Sequence, residues 1–167
     1  MRYWIRHDRP LLSSHLCYGW LDVPLAVPVQ ETLAELPNLP IHLPIYTSSL
    51  QRCRLLAEAL AEGKQSIHCL DALREIHFGQ WEGIEWNKIS RAELDAWAEQ
   101  PYAYSFPEGE SIPAFLVRVQ TLLDELPSEA IVVTHAGVIR AALHFVKQIP
   151  LEEAFATPVG YGLCLEF

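Results

Sequence analysis

Residues 130–147 read Ala130-Ile131-Val132-Val133-Thr134-His135-Ala136-Gly137-Val138-Ile139-Arg140-Ala141-Ala142-Leu143-His144-Phe145-Val146-Lys147. The run Ala130 to Thr134 is short, apolar and β-branched, the pattern of a buried strand. Gly137 then opens a helix to about Lys147, with Val138, Ala141, Ala142 and Phe145 facing inward. A strand passing into a helix through Thr-His-Ala-Gly places His135 at the strand's carboxyl end. The amino terminus repeats the arrangement: Tyr3-Trp4-Ile5 is a short apolar run, and Arg6-His7 follows it. Two histidines at the carboxyl ends of two buried strands can meet in one crevice of an α/β sheet, where ligands usually bind. That pairing suggests histidine chemistry on an anionic substrate.

The remaining pattern alternates strands with helices. Arg2 to Arg6 is a strand, residues 8–28 are loop, and Val29 to Leu36 is a short helix stopped by Pro37 and Pro40. Pro44 to Ser48 is a strand and turn. Ser48 or Ser49 is expected to cap a helix to about Glu62, with Leu50, Cys53, Leu56 and Leu60 on one face. Ser66 to Leu70 gives a third strand, and Asn87 to Trp97 a helix. Ser111 caps a helix with Pro113 in its first turn, where proline is tolerated. Ile112, Phe115, Leu116, Val119, Leu122, Leu123 and Leu126 form its apolar stripe, and Pro127 ends it. Gly162 to Phe167 is a last strand. The expected fold is α/β, a three-layer α/β/α sandwich with a mainly parallel central sheet, in a single domain spanning residues 1–167.

At 167 residues the chain is long enough to bury a substantial core, and half of its residues are hydrophobic. Its net charge of −9, from 21 acidic and 12 basic side chains, argues against nucleic-acid and membrane-surface partners. It leaves room for a phosphate ester, since a local cluster of arginines can hold one phosphate inside an acidic protein. The first residues do not read as a signal peptide, and no apolar run approaches membrane-spanning length. The four cysteines, Cys17, Cys53, Cys69 and Cys164, are widely spaced and form no Cys-x-x-Cys pair. Free thiols and a cytoplasmic location are expected. The sequence leaves the oligomeric state open.

Four segments carry the chemistry: Arg6-His7; Ser48-Ser49-Leu50-Gln51-Arg52; Leu73-Arg74-Glu75-Ile76-His77-Phe78-Gly79-Gln80-Trp81-Glu82-Gly83; and Thr134-His135-Ala136-Gly137. Singly, each has a plain structural reading as a surface pair, a helix start, a loop or a strand-to-helix turn. In this order, the four resemble the histidine phosphatase superfamily, also called phosphoglycerate-mutase-like, over roughly residues 1–145. Within it, Cys17-Tyr18-Gly19 with Asp22, Pro24 and Leu25, and the segment Phe106-Pro107-Glu108-Gly109-Glu110-Ser111, look most like α-ribazole phosphatases, which act late in cobalamin assembly.

The resemblance implies a metal-independent phosphomonoesterase acting through a phosphohistidine on His7, with Glu75 as proton donor. The residue types suit that chemistry in their own right. A phosphate monoester is dianionic near neutral pH, and the guanidinium groups of Arg6 and Arg52 can neutralise and hold its nonbridging oxygens. A neutral imidazole at His7 can then attack phosphorus in line. His135 can hydrogen-bond the equatorial oxygens. Glu75, as a carboxylic acid, can protonate the leaving oxygen and afterwards accept a proton from water. The catalytic set is therefore Arg6, His7, Arg52, Glu75 and His135, with Arg6, Arg52 and His135 binding phosphate. No metal and no cofactor is expected, and the partner is a small-molecule phosphate ester.

The expected substrate is α-ribazole 5′-phosphate or the corresponding cobamide phosphate. A broad-specificity small-metabolite phosphatase is the alternative, and a catalytically weak phosphate-binding or regulatory protein is the alternative of another class. The chain offers few segments to enclose a mutase's phosphohistidine and bisphosphate. Asp8, where the family commonly has Gly, motivates the weak-binding reading: facing inward it would repel phosphate and favour protonation of His7. Alternation along extended chain favours the outward direction. His77 and Glu82 could touch substrate or fill the loop interior, Ser13 and Ser14 could lend a hydroxyl to phosphate, and Trp81 and Trp86 read as core or loop packing.

Overall fold

The protein is described here by a computed structural model that covers residues 1–11 and 15–167. Ser13 and Ser14 lie outside the described residues. Among the described residues, five strands form one sheet: β1 (Arg2–Arg6), β2 (Ile45–Ser48), β3 (Ile67–Leu70), β4 (Ala130–Thr134) and β5 (Cys164–Glu166). Six helices accompany them: α1 (Val29–Glu35), α2 (Gln51–Ala61), α3 (Arg91–Glu99), α4 (Ile112–Glu125), α5 (Ala136–Lys147) and α6 (Leu151–Ala156). The strand order is β3-β2-β4-β1-β5, parallel except for β5, which runs antiparallel to β1. The expected α/β architecture is therefore observed, with a mixed sheet.

Strand alternation divides the core into two layers. Trp4, Ala130 and Val132 face a cluster that receives the inner faces of α4 and α5, including Phe115, Val119, Leu122, Val138 and Ala142. Ile5, Ile131 and Val133 face the other side, against Cys53, Leu56 and Ala57 of α2 and Leu33 of α1. Every residue of β4 is buried, as a central strand covered on both faces must be. Leu56 is fully buried in the second layer, so its place in the sequence is one of packing.

Several boundaries differ from expectation for physical reasons. The amino terminus of α2 is not capped by Ser48 or Ser49. Asp22, from the loop after β1, supplies the acceptor, its Oδ1 taking the Gln51 N–H at 2.8 Å. Helix α3 starts at Arg91, because Ser90 caps it by accepting from Glu93 N, and residues 86–88 form a separate 3-10 turn. Ser111 caps α4 as expected, accepting from Ala114 N at 3.1 Å. Helix α6 carried no clear sequence signal: it is six residues long, and only Ala154 is buried.

Candidate active site

The register of the sheet builds the site. β1 pairs with β4 so that Arg6 lies opposite Thr134, and the His7 N–H donates to Thr134 O at 3.1 Å. His7 and His135 therefore emerge side by side from adjacent strands, and their ring centroids are 5.0 Å apart. Both are buried. β2 borders β4 on its other side and ends at Ser48, whose Oγ lies 2.9 Å from His135 Nε2. Ser48 was read from sequence as a helix cap; it instead orients the second histidine.

His7 Nδ1 lies 2.5 Å from the carbonyl oxygen of Asp8. A carbonyl can only accept, so Nδ1 carries the proton and Nε2 keeps its lone pair. Burial first, and then the charges of Arg52 and Arg6, hold the His7 imidazole well below its ordinary proton affinity; the bond to Asp8 opposes this only in part. Burial likewise lowers His135, helped by Arg52, His7 and Arg6. Both rings are neutral at pH 7.

Two guanidinium groups border the histidines. Arg52, in the first turn of α2, is fully buried, and donates to Gly19 O at 2.6 Å and Leu21 O at 2.9 Å. Arg6 donates to Val159 O at 2.5 Å. Both Nε atoms are buried, and neither has a hydrogen-bond partner among the described residues. Tyrosines brace their faces. The Tyr161 ring lies 3.8 Å from Arg6 Cζ and the Tyr18 ring 5.2 Å from Arg52 Cζ, and the two phenol oxygens meet at 2.8 Å. Stacked faces leave the guanidinium edges for oxygen acceptors.

Glu75 reaches the same place from the loop after β3. Its Oε2 accepts the Gly137 N–H at 3.0 Å, in the first turn of α5, and its Oε1 accepts the Ile76 N–H at 3.1 Å. Gly137 allows this approach: a Cβ there would overlap Glu75 Oε1 and stand 3.1 Å from Cδ. The loop is held by long-range bonds that the sequence did not disclose. Thr134 Oγ1 donates to Leu73 O at 2.7 Å. Arg118 of α4 donates to the carbonyls of Ala72, Arg74 and Glu75 and forms an ion pair with Glu110 at 2.8 Å. Glu110 and Arg118 stand eight positions apart, and nothing local marks them as partners.

Glu82 belongs to the loop interior. Its carboxylate accepts from the backbone N–H groups of Trp20, Leu21 and Phe78, and so shapes the turn whose carbonyls receive Arg52. His77 stacks on Trp20, with centroids 4.5 Å apart. Asp8 turns away from the site. Its carboxylate accepts from Thr32 Oγ1 and from Arg9 N, so it meets the Arg9 backbone and not its side chain. The carboxylate of Asp8 is thus engaged by Thr32 and the Arg9 backbone, in the outward direction that chain alternation favours.

One cavity of about 430 Å³ joins these groups. Arg6, His7, Arg52, Glu75 and His135 line its polar end. Phe78, Trp86, Trp97, Tyr102, Ile112, Phe155 and Arg140 are among the other residues that line it. Trp81 is core, and Trp86 packs against the same core, both within the reading from sequence; Trp86 also lines this cavity, stacked on Trp97 with centroids 6.4 Å apart. One family model matches the chain, that of the histidine phosphatase superfamily (branch 1), over residues 3–165. The chain belongs to the histidine phosphatase superfamily. The expected enzyme class, a histidine-type phosphatase, agrees with that membership.

The adenosylcobalamin/alpha-ribazole phosphatase of Salmonella typhimurium is 25% identical over 97% of this chain and 87% of its own length. A Hydrogenobacter thermophilus protein named "Putative phosphoserine phosphatase 2" is 28% identical over 65% of this chain, and the match spans only 57% of that relative. Among solved structures, a phosphoglycerate mutase from Thermus thermophilus is similar, with TM-score 0.74 and 30% identity, over 98% of this chain and 90% of that one. An Escherichia coli structure described as "a putative alpha-ribazole-5'-P phosphatase" superposes with TM-score 0.85 at 22% identity, over 98% and 87% of the two chains, and shows the common fold.

Proposed function

We propose that the chain is a metal-independent phosphomonoesterase that works through a phosphohistidine on His7. In this reading Arg6 and Arg52 hold the nonbridging oxygens with their free N–H edges. The His7 Nε2 lone pair attacks phosphorus while the ester P–O bond breaks, and Glu75, as the acid, gives its proton to the leaving oxygen. His135 hydrogen-bonds the equatorial oxygens as their charge grows. Water then attacks the phosphorus of phospho-His7, Glu75 as carboxylate takes its proton, and the N–P bond breaks to release phosphate. Two guanidinium groups and two neutral imidazoles supply the charge stabilisation, so the scheme calls for no metal ion.

The proposed substrate is α-ribazole 5′-phosphate or the corresponding cobamide phosphate. The observation that carries this choice is that Arg6, Arg52, His7 and His135 line a single cavity together with the aromatic side chains of Trp86, Trp97 and Phe78. A fused aromatic base buries its faces against such side chains, while the phosphate is fixed by polar groups. The likeness to the Salmonella enzyme supports the same choice. The test is kcat/KM over a panel of phosphate esters in chelator. A preference of at least about tenfold for α-ribazole 5′-phosphate over small aliphatic esters is expected from burial of one aromatic system. A flat profile would favour a broad-specificity phosphatase, and no turnover of any ester by folded protein would refute the phosphatase reading.

A further inference from the structure

Phosphate needs Arg6 and Arg52, yet a third guanidinium opens on the same cavity. Arg140 stands on α5 three residues beyond Gly137, one helical turn from the N–H that holds Glu75. Its Nε donates to Thr157 O at 3.0 Å, which fixes the guanidinium against the end of α6. Among the described residues no carboxylate forms an ion pair with it, and its Nη groups have no hydrogen-bond acceptor. Partial burial works against its charge, Glu75 supports it and Arg6 opposes it, which places Arg140 in the electrostatic field of both ends of the polar floor.

Position decides what this cation addresses. Arg52 and Arg6 flank the histidines, on the phosphoryl side. Arg140 flanks Glu75, the group proposed to protonate the leaving oxygen. Its anchor, Thr157, follows Phe155, which lines the cavity and meets Tyr102 edge-on with centroids 5.9 Å apart. Arg140 and Phe155 line the same cavity as Glu75, so an alcohol half leaving the phosphoryl group past Glu75 would come within reach of the guanidinium. Arginine there presents a planar fork of donors and accepts nothing.

We propose that Arg140 is a specificity residue that reads oxygen acceptors on the alcohol half of the phosphate ester, and that sugar phosphates are the class it selects. The inference rests on the phosphatase reading for the placement of phosphate. Hydroxyl and ring oxygens next to the ester carbon would accept from the Arg140 Nη groups, and a carboxylate in the same place would accept in the same way.

The test compares ribose 5-phosphate, O-phosphoserine and phenyl phosphate in the parent and in Arg140→Met, which keeps the apolar stem and removes the donors. The ratio of kcat/KM for ribose 5-phosphate to that for phenyl phosphate is expected to fall about tenfold or more, the loss typical of a hydrogen bond to a charged group. A fall larger for O-phosphoserine than for ribose 5-phosphate would identify a carboxylate as the preferred acceptor and overturn the sugar assignment. An unchanged ratio for both would overturn the proposal outright. Calorimetric binding of ribose 5-phosphate against inorganic phosphate, in a His7→Ala background, makes the same comparison without turnover. Arg140→Met should weaken ribose 5-phosphate more than inorganic phosphate; equal weakening would assign Arg140 to phosphate and refute the inference. Absence of catalysis by the parent would count against the phosphatase reading alone.

Discussion

Gly137→Ala separates the chemistry of the site from its stability. An added Cβ would overlap Glu75 Oε1 and stand 3.1 Å from Glu75 Cδ, closer than ordinary van der Waals contact. The obstacle is the end of a flexible side chain, so the carboxylate can withdraw, and about 1 Å is enough to restore normal contact. Withdrawal breaks the 3.0 Å bond from Gly137 N. The stability terms oppose one another: alanine favours the helix by about 1 kcal/mol, and the lost bond to the Glu75 carboxyl group costs about 0.5–3 kcal/mol. The melting temperature should therefore fall by no more than about 8 °C. Catalysis has no such compensation, because a proton donor displaced by about 1 Å loses about 10²-fold in rate. Steady-state assays should show kcat lower by about that factor with KM little changed, and a larger loss for an alkyl ester than for p-nitrophenyl phosphate, whose leaving group hardly needs protonation. A kcat within threefold of the parent, with the fold intact by circular dichroism, would refute the placement of Glu75 by α5.

Three further outcomes follow from the geometry. Asp8→Gly should leave the Kd for inorganic phosphate within about threefold, because the carboxylate bonds Thr32 and Arg9 N, and should cost about 1–3 kcal/mol of stability in urea titration. A gain in affinity of tenfold or more would show that Asp8 faces the phosphate. His7 and His135 are neutral when folded and bind protons below about 6.5 when unfolded, so the unfolded state binds more protons in that range. Stability is thus complete above pH 6.5 and is lost as pH falls toward the depressed folded values, by up to about 1.4 kcal/mol per pH unit for each ring. His135→Asn should flatten that slope between pH 6.5 and 5 in thermal melts, and an unchanged slope would contradict the burial argument. Arg118→Met should destabilise the protein by about 3 kcal/mol, since it strands Glu110 and three loop carbonyls. A stability unchanged from the parent would show that the loop carrying Glu75 is held by other means.

The sequence disclosed what local pattern can carry. The apolar run of β4, the Thr-His-Ala-Gly turn and the stripe of α4 with its Ser111 cap are each written in adjacent residues, and the structure shows all three. Arg6, His7, Arg52, Glu75 and His135 do line one cavity. What stayed hidden depends on contacts between distant residues. Ser48 meets His135 across 87 positions, Thr134 meets Leu73 across 61, and Tyr18 meets Tyr161 across 143. The same limit explains the α2 cap, where a local serine was the natural choice and a distant aspartate does the work. Asp8 was ambiguous for a related reason, since its direction is decided by Thr32 on α1.

The central claim is covalent transfer through His7, and intact-protein and peptide mass spectrometry on enzyme quenched during turnover tests it most directly. With substrate and chelator present, a phosphoryl adduct that is acid-labile and base-stable is expected on His7, and it should vanish in His7→Ala. Steady turnover with no adduct on His7, or undiminished turnover by His7→Ala, would contradict the account.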